Sequence, residues 1–332
     1  MIAKTPRLAF IYGSREVLWT GLCRSLFQQE GTIRDTLMHC ERLIHERLGW
    51  SLREVFASQQ FAEEQLAPSL TALQIMLTNV WRERGMEPDV IAARSGGEYA
   101  AEYARGALII EDAIEVACRI SRFIRDRRGA GRMLAIRLGL STTQKLERSS
   151  PVRFFLVADA AEDGTIVACE TTAVKALARY LLAQQIEYRM LNSTIAPHSP
   201  VIDEWESDLL KPLSGTKPNS GLLPYYSATV EGRDNTECYY ARLWRAVREP
   251  ALVGRMLDRL IKDGCNIFLE IGGQPMLATR IHARAAVAGK EVVALPKQRS
   301  ASLDALMDGV HETLCTLGFF TRPARLPQQH RA

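Results

Sequence analysis

The sequence predicts an α/β protein with a large domain and an inserted βαββαβ subdomain, and three observations carry this reading. An apolar run, Val90-Ile91-Ala92-Ala93, passes through Arg94-Ser95-Gly96-Gly97-Glu98 into an alanine-rich helix. Short apolar runs alternate with helical periodicity over a chain of 332 residues that is 47% hydrophobic, enough for one large core and a smaller inserted one. From Met133 the rhythm changes to strand, helix, strand, strand, helix, strand, the ferredoxin-like order.

The chain opens with an apolar strand, Arg7 to Tyr12, and a loop, Gly13 to Leu18, where open α/β sheets set ligand-contacting loops. A helix is expected from Trp19 to Phe27. Helical periodicity covers Thr32 to Leu48 and Phe61 to Arg84, the second with Leu66, Leu70, Leu73, Met76 and Val80 on one face. After Ser95 a long helix runs from Glu111 to Arg128, opened by acidic residues and closed by arginines before Gly129, as the helix dipole favours. The inserted unit reads as strand Met133 to Leu138, helix Ser141 to Arg148, strands Val152 to Val157 and Thr165 to Cys169, helix Thr172 to Gln184 and strand Ile186 to Leu191. A loop with His198, Asn192 to Pro200, leads into a helix from Val201 to Leu210 and a Pro-, Gly- and Ser-rich connection to Gly221. Strand Leu223 to Ser227, helices Glu237 to Val247 and Ala251 to Lys262, and strand Asn266 to Glu270 follow. The turn Gly272-Gly273-Gln274-Pro275, a helix, strand Val292 to Leu295 and helix Leu303 to Leu317 complete the order. The large domain is thus 1–132 with 192–321, the small one 133–191, and 322–332 is expected to be a flexible tail.

Ala93 to Gly97 reads as a nucleophile elbow, since small residues two before and two after a serine permit the tight turn that exposes its hydroxyl. Ser95 would stand at a helix N-terminus, where amides and the positive end of the dipole favour an oxyanion. The same pattern fits a plain loop before a helix cap, so a general base is required. Histidine is the usual base because its pKa lies near operating pH. His39, His45, His282 and His311 fall in expected helices and His330 in the tail, whereas His198 sits in a loop leaving a strand, between prolines. Ser95 and His198 are the expected dyad. Asp159, Glu270 and the carbonyls around Gly272 are open to orient the imidazole, with Glu270 better suited to cap the turn after it.

Composition excludes several classes. A net charge of +4, a pI near 8.7 and 7% aromatic residues give no stripe of basic and stacking side chains, so nucleic acid is not an expected partner. No apolar run approaches the ~20 residues that span a bilayer and Met1 to Ala9 is no signal peptide, so no membrane partner and a cytoplasmic location are expected. The seven cysteines are scattered with no Cys-x-x-Cys pair, which suggests buried free thiols and no metal site. Phosphate-cradling and dinucleotide-binding glycine motifs are missing.

Several segments together resemble the malonyl-CoA:acyl-carrier-protein transacylase family, which includes the acyltransferase domains and discrete acyltransferases of polyketide synthases. The family's G-H-S-x-G-E elbow is matched by Ala93-Arg94-Ser95-Gly96-Gly97-Glu98, followed in register by Gly106-Ala107-Leu108 and Glu111-Asp112-Ala113. Its histidine motif is matched by Ala196-Pro197-His198-Ser199-Pro200. Leu243-Trp244 with Arg248-Glu249-Pro250, and Glu270-Ile271-Gly272-Gly273-Gln274-Pro275-Met276-Leu277, match two further stretches. The similarity runs nearly end to end and implies an α/β-hydrolase-like large domain with a ferredoxin-like insert.

It also implies departures. Ser14-Arg15-Glu16-Val17-Leu18 stands where the family has G-Q-G-S-Q, so the oxyanion donors by position are the amides of Gly96 and Arg15. Arg94 replaces the elbow histidine and is free either to hold a substrate carboxylate or phosphopantetheine-proximal group or to pair with a protein carboxylate. The arginine that holds a malonyl carboxylate in the family aligns with Ile120, and Arg119 is about 100° round the helix from it. Ile195, Ala196 and Pro197, the residues that track the extender unit, match neither the malonyl nor the methylmalonyl pattern. An apolar Ile120 favours an uncharged acyl chain, because an unpartnered buried carboxylate costs several kcal/mol.

Arg119, Arg122, Arg125, Arg128 and Arg132 recur at three- and four-residue spacing. They suggest either a basic docking face for an acidic acyl carrier protein or a solvated helix end. The expectation is a discrete serine acyltransferase that takes phosphopantetheine thioesters of coenzyme A or carrier protein, with no bound cofactor. An acyl hydrolase acting on carrier proteins and a catalytically silent carrier-binding scaffold are the alternatives.

Overall fold

The computed structural model describes residues 5–18, 22–23, 26–58, 60–213, 215–216, 218–229, 239–272, 274–298 and 302–321. The helix expected from Trp19, the start of the one expected from Glu237, and the tail lie partly or wholly outside these residues. The strands in chain order are β1 (Leu8–Tyr12), β2 (Val90–Ala93), β3 (Gly131–Ile136), β4 (Phe155–Ala161), β5 (Gly164–Glu170), β6 (Tyr188–Met190), β7 (Tyr225–Ser227), β8 (Ile267–Glu270) and β9 (Val293–Leu295). They form a five-stranded sheet ordered β7-β2-β1-β8-β9 and a four-stranded sheet ordered β4-β5-β3-β6.

Every pairing in the larger sheet is parallel, with Tyr12 opposite Ala93 and Ile11 opposite Glu270. Parallel strands are covered on both faces, which is why β1 and β2 read as unbroken apolar runs. Side chains nonetheless alternate. Leu8, Phe10, Tyr12, Ile91 and Ala93 enter one core with helices Thr32–Leu48, Leu66–Glu83, Ile110–Asp126 and Leu303–Thr316. Ala9, Ile11, Val90, Ala92 and Phe268 enter the opposite core with helices Val253–Lys262 and Ala278–Val287.

In the smaller sheet all pairings are antiparallel. Helices Leu140–Ser149 and Val174–Ala183 interleave with its strands in the order βαββαβ, so the unit is ferredoxin-like. One face makes its own core of Leu134, Ile136, Phe154, Val167, Leu177 and Leu181, while Val157, Ala158 and Ala168 join the core beneath the larger sheet. β4 is also tied to the large unit through main-chain bonds, Ala251 N to Val157 O at 2.8 Å and Asp159 N to Ala251 O at 3.4 Å.

Three elements depart from the sequence reading. A helix at Leu52–Ser58, capped where Glu54 N donates to Ser51 Oγ at 3.2 Å, is too short to declare a period. The helix expected from Phe61 starts at Leu66, after a 3-10 turn at Glu63–Gln65 whose Glu63 carboxylate is used elsewhere. The helix expected from Val201 is a 3-10 segment, Pro200–Trp205, followed by one short turn at Glu206–Leu210. Among the described cysteines five are buried as expected, and Cys315 is exposed.

Candidate active site

The loops after β1, β2 and β8 converge at the carboxyl edge of the larger sheet, where open α/β sheets bind ligands. β2 ends at Ala93, Arg94 stays extended, and Ser95 then turns to a positive φ of 50° before a 3-10 turn (Ser95–Gly97) and helix Glu98–Ala104. A non-glycine residue held there stores about 1–3 kcal/mol, which the surrounding packing must offset. A Cβ on Gly97 would lie 2.3 Å from the Tyr12 carbonyl oxygen and 2.6 Å from that of Gly13, so glycine is needed for the β1 loop to pass so close. A Cβ on Gly96 would meet only the Leu70 Cδ2 at 3.2 Å and Ser14 Oγ at 3.5 Å, a looser fit.

His198 reaches the same point from the segment that leaves the smaller sheet. Its Nε2 lies 2.9 Å from Ser95 Oγ, so the structure brings the two expected dyad residues together. The loop is anchored through Glu63, whose carboxylate accepts from Ser193 Oγ at 2.7 Å and Thr194 N at 3.0 Å. His198 itself takes a φ of 59°. Its amide donates to Val247 O at 2.7 Å and its Nδ1 lies 2.8 Å from Glu249 O. Both acceptors are orphan carbonyls at the end of helix Tyr239–Arg248, a place where the chain offers acceptors with no helical partner. A carbonyl only accepts, so Nδ1 carries the proton and Nε2 presents a lone pair to the Ser95 hydroxyl.

The imidazole is oriented by Glu249 O, and not by any of the groups that the sequence left open. Asp159 instead accepts from Val253 N at 2.6 Å and Gly254 N at 2.8 Å, capping a helix, and pairs with Arg280 at 3.0 Å. Glu270 caps as expected, accepting from Met276 N and Leu277 N at 2.9 Å. Burial pushes the His198 pKa down to about 4, opposed by the bond to Glu249 O and assisted by the Arg94 charge. The ring is therefore neutral at pH 7. Burial raises Glu270 to about 7, opposed by the Leu277 and Met276 amides.

Arg94 pairs with Glu16. Burial and the neighbouring Arg280 charge lower its pKa to about 10, with Glu270 and Asp159 acting the other way, so it keeps its charge. The Arg15 guanidinium points outward, 3.5 Å from Asn192 O, while its backbone belongs to the 3-10 turn Arg15–Val17 beside the elbow. Ile120 and Ile195 are buried in the larger core. Ala196 is fully buried against Gly131, where an added Cβ would lie 2.4 Å from its own, and Pro197 is half-buried.

The five arginines do not share one face. Arg119 pairs with Glu115 of its own helix at 2.6 Å and Arg122 turns to Arg47 O of helix Thr32–Leu48, and both are half-buried. Arg132 folds back on Gly131 O at 2.9 Å. Arg125 and Arg128 remain exposed, beside Asp126 at 3.0 Å and Glu64 at 2.6 Å. Arg122 and Arg128 take partners from other segments, which spacing along one helix does not report, whereas Arg119, Arg125 and Arg132 hold partners within four residues of themselves. Glu249, Glu16 and Glu63 were given no role by the sequence, because they act through a backbone carbonyl or through partners distant in the chain. Among the described residues no helix is long and apolar enough to cross a membrane, and no three His, Cys, Asp or Glu side chains converge to hold a metal ion.

Known proteins are similar to this chain in sequence or in fold. The spectinabilin polyketide synthase system protein NorA of Streptomyces orinoci is 30% identical over 294 residues, covering 86% of this chain and 15% of that protein. Erythronolide synthase EryA3 of Saccharopolyspora erythraea is 26% identical over 281 residues, covering 83% of this chain and 9% of that protein. The chain thus spans a small part of these relatives. The fold is similar to the acyltransferase domain from module 8 of the salinomycin polyketide synthase, with a TM-score of 0.81, 21% identity and coverage of 92% and 74%. It is also similar to a type II polyketide synthase malonyl-transacylase solved in complex with its acyl-carrier protein, with a TM-score of 0.77, 18% identity and coverage of 92% and 99%. The acyl transferase domain family matches residues 9–305, most of the sequence, and the chain belongs to this family.

Proposed function

We propose that this chain moves an uncharged acyl group from a coenzyme A or carrier-protein thioester to the phosphopantetheine thiol of an acyl carrier protein, through an ester on Ser95. The observation that carries the reading is the 2.9 Å contact between Ser95 Oγ and a neutral, buried His198 Nε2 at the tip of the elbow. As Ser95 Oγ attacks the thioester carbonyl, its proton passes to Nε2 and the oxyanion faces the amides of Gly96 and Arg15. The C–S bond then breaks and the proton leaves with the thiolate. The carrier thiol reverses these steps, giving its proton to His198 and releasing Ser95.

Two features support an uncharged acyl group. Ile120 is apolar and surrounded by apolar neighbours, with no cation in its place for a free carboxylate. Arg94, the cation beside the nucleophile, is already engaged by Glu16. Arg125 and Arg128 support docking of an acidic carrier, since they stay exposed beyond helix Ile110–Asp126 or at its end.

Intact-protein mass spectrometry of wild type and Ser95→Ala, after exposure to neutral and carboxylated acyl thioesters, tests the reading. A Ser95-dependent adduct from neutral donors that passes to an unloaded carrier is the expected result. An adduct that decays equally fast without carrier would assign hydrolysis, faster loading from malonyl donors would overturn the preference, and no adduct from any donor would favour a silent scaffold.

A further inference from the structure

We propose that Glu16 is a positioning residue for Ser95, an inference that rests on the acyl-ester reading above. The loop after β1 is pressed against the nucleophile turn at several points. Arg94 N donates to Tyr12 O at 3.1 Å, and Gly97 passes so near the Tyr12 and Gly13 carbonyls that a Cβ has no room. Whatever fixes residues 13–16 therefore also fixes the turn on which Ser95 stands.

Three sets of bonds hold this loop. Gln74 Nε2, from helix Leu66–Glu83, donates to Gly13 O and to Ile271 O, each at 3.0 Å, stapling the ends of β1 and β8 together. Gln274 Nε2 donates to the main-chain oxygen of Glu16. The third set is made by the Glu16 carboxylate, which accepts the Ser14 amide at 3.1 Å and pairs with the Arg94 guanidinium. Of the three, the last reaches the residue immediately before Ser95.

This bridge combines geometry with charge. A half-buried pair of this kind adds modest stability, yet small displacements of a reacting group cost up to about a hundredfold in rate. Arg94 also disfavours the protonated form of His198. Arg280 acts on Arg94 as a like charge and Glu270 and Asp159 as opposite ones, and Glu16, paired with the same guanidinium, places a further opposite charge beside it. A clamp that only stiffened the loop would not change the basicity of His198.

The test uses the full chain with a fluorophosphonate probe, which phosphonylates an activated serine without needing a cognate acyl donor. The rate of Ser95 labelling against pH is measured for wild type, Glu16→Gln, Glu16→Asp, Arg94→Gln and the double variant Glu16→Gln with Arg94→Gln, with melting curves for each. Each Gln single variant is expected to label at least about tenfold more slowly, the double variant no slower than the worse single one, and Glu16→Asp to recover part of the loss. The acid limb should shift down in Glu16→Gln, where the Arg94 charge is no longer countered, and up in Arg94→Gln. Wild-type labelling by Glu16→Gln, losses that multiply in the double variant, or an acid limb that stays put in both single variants would overturn the proposal. The Asp and Arg94 variants keep the test decisive should Glu16→Gln fail to fold. Wild type that reacts with fluorophosphonate but with no acyl thioester would sink the transfer reading and leave this one standing, whereas wild type that does not react at all would overturn it.

Discussion

The Nδ1 atom of His198 is bonded at 2.8 Å to the main-chain oxygen of Glu249, so a neutral carbonyl at a helix end does the work often given to a carboxylate. Because the acceptor is backbone, the glutamate side chain is dispensable for orientation. Glu249→Ala should keep acyl-transfer kcat within about threefold of wild type, while His198→Ala should lose about 10²–10⁴-fold. Steady-state transfer to a carrier measures both, and a large loss in Glu249→Ala would contradict a backbone acceptor.

The pKa of about 4 at His198 sets an acid limit. Ser95 acylation should be nearly flat from neutral pH down to about 5 and fall to half near 4, in rapid-quench rates across that range. Stability follows the same group. Between about 4 and 6.5 the unfolded histidine binds more protons than the native one, so this contribution is complete above 6.5 and is lost as pH falls towards 4.

Glu98 gives the opposite slope. Its carboxyl is buried, accepts from Ser227 Oγ at 2.6 Å, and is raised by burial to about 8, with the Ser227 bond acting the other way. The native state holds this proton between 4.5 and about 8 while the unfolded state releases it, so its contribution is complete below 4.5 and is lost as pH rises towards 8. Glu98→Gln cannot ionise, and its melting temperature should exceed that of wild type at pH 9 and lie close to it at pH 5. Each kcal/mol corresponds to about 2–4 °C in domains of 150–250 residues and to no more than that in this longer chain of 332.

The two elbow glycines should differ. Gly97→Ala forces a methyl onto backbone oxygens that cannot yield and should destabilise by about 1–3 kcal/mol or more while displacing Ser95. Gly96→Ala meets the end of a flexible leucine and should cost much less. Denaturant melts together with fluorophosphonate labelling separate the two effects, and equal losses in both variants would refute the distinction.

Reversing the charges of Arg125 and Arg128 tests the docking face. Arg125→Glu with Arg128→Glu should lower kcat/KM for carrier-bound substrate about tenfold at low salt, less at high salt, and leave small thioesters unaffected. Equal loss on both substrates would place these residues outside a carrier surface.

Much of the fold was legible in the chain because its signals are local. Val90 to Ala93 reads as an apolar strand, and the same four residues form β2. The rhythm after Met133 declares βαββαβ, and the sheet order β4-β5-β3-β6 follows from it. Short segments were harder: Leu52–Ser58 is seven residues long, and Pro200–Trp205 closes as 3-10 although its Ser199 cap and leading proline are also the signals that start an α-helix.

By itself the sequence determined the α/β class, the elbow at Ser95, and His198 as the histidine to meet it, because each depends on spacing, backbone freedom and residue chemistry within a few positions. Tertiary structure alone decided that Glu249 O orients the imidazole, that Asp159 is spent capping a helix, that Arg94 pairs with Glu16, and that Arg122 and Arg128 turn to Arg47 O and Glu64. Each of these contacts joins segments brought together by the sheets and their loops. A hydrogen bond or ion pair depends on where its partner comes to rest, and that position is set by the packing of the whole chain.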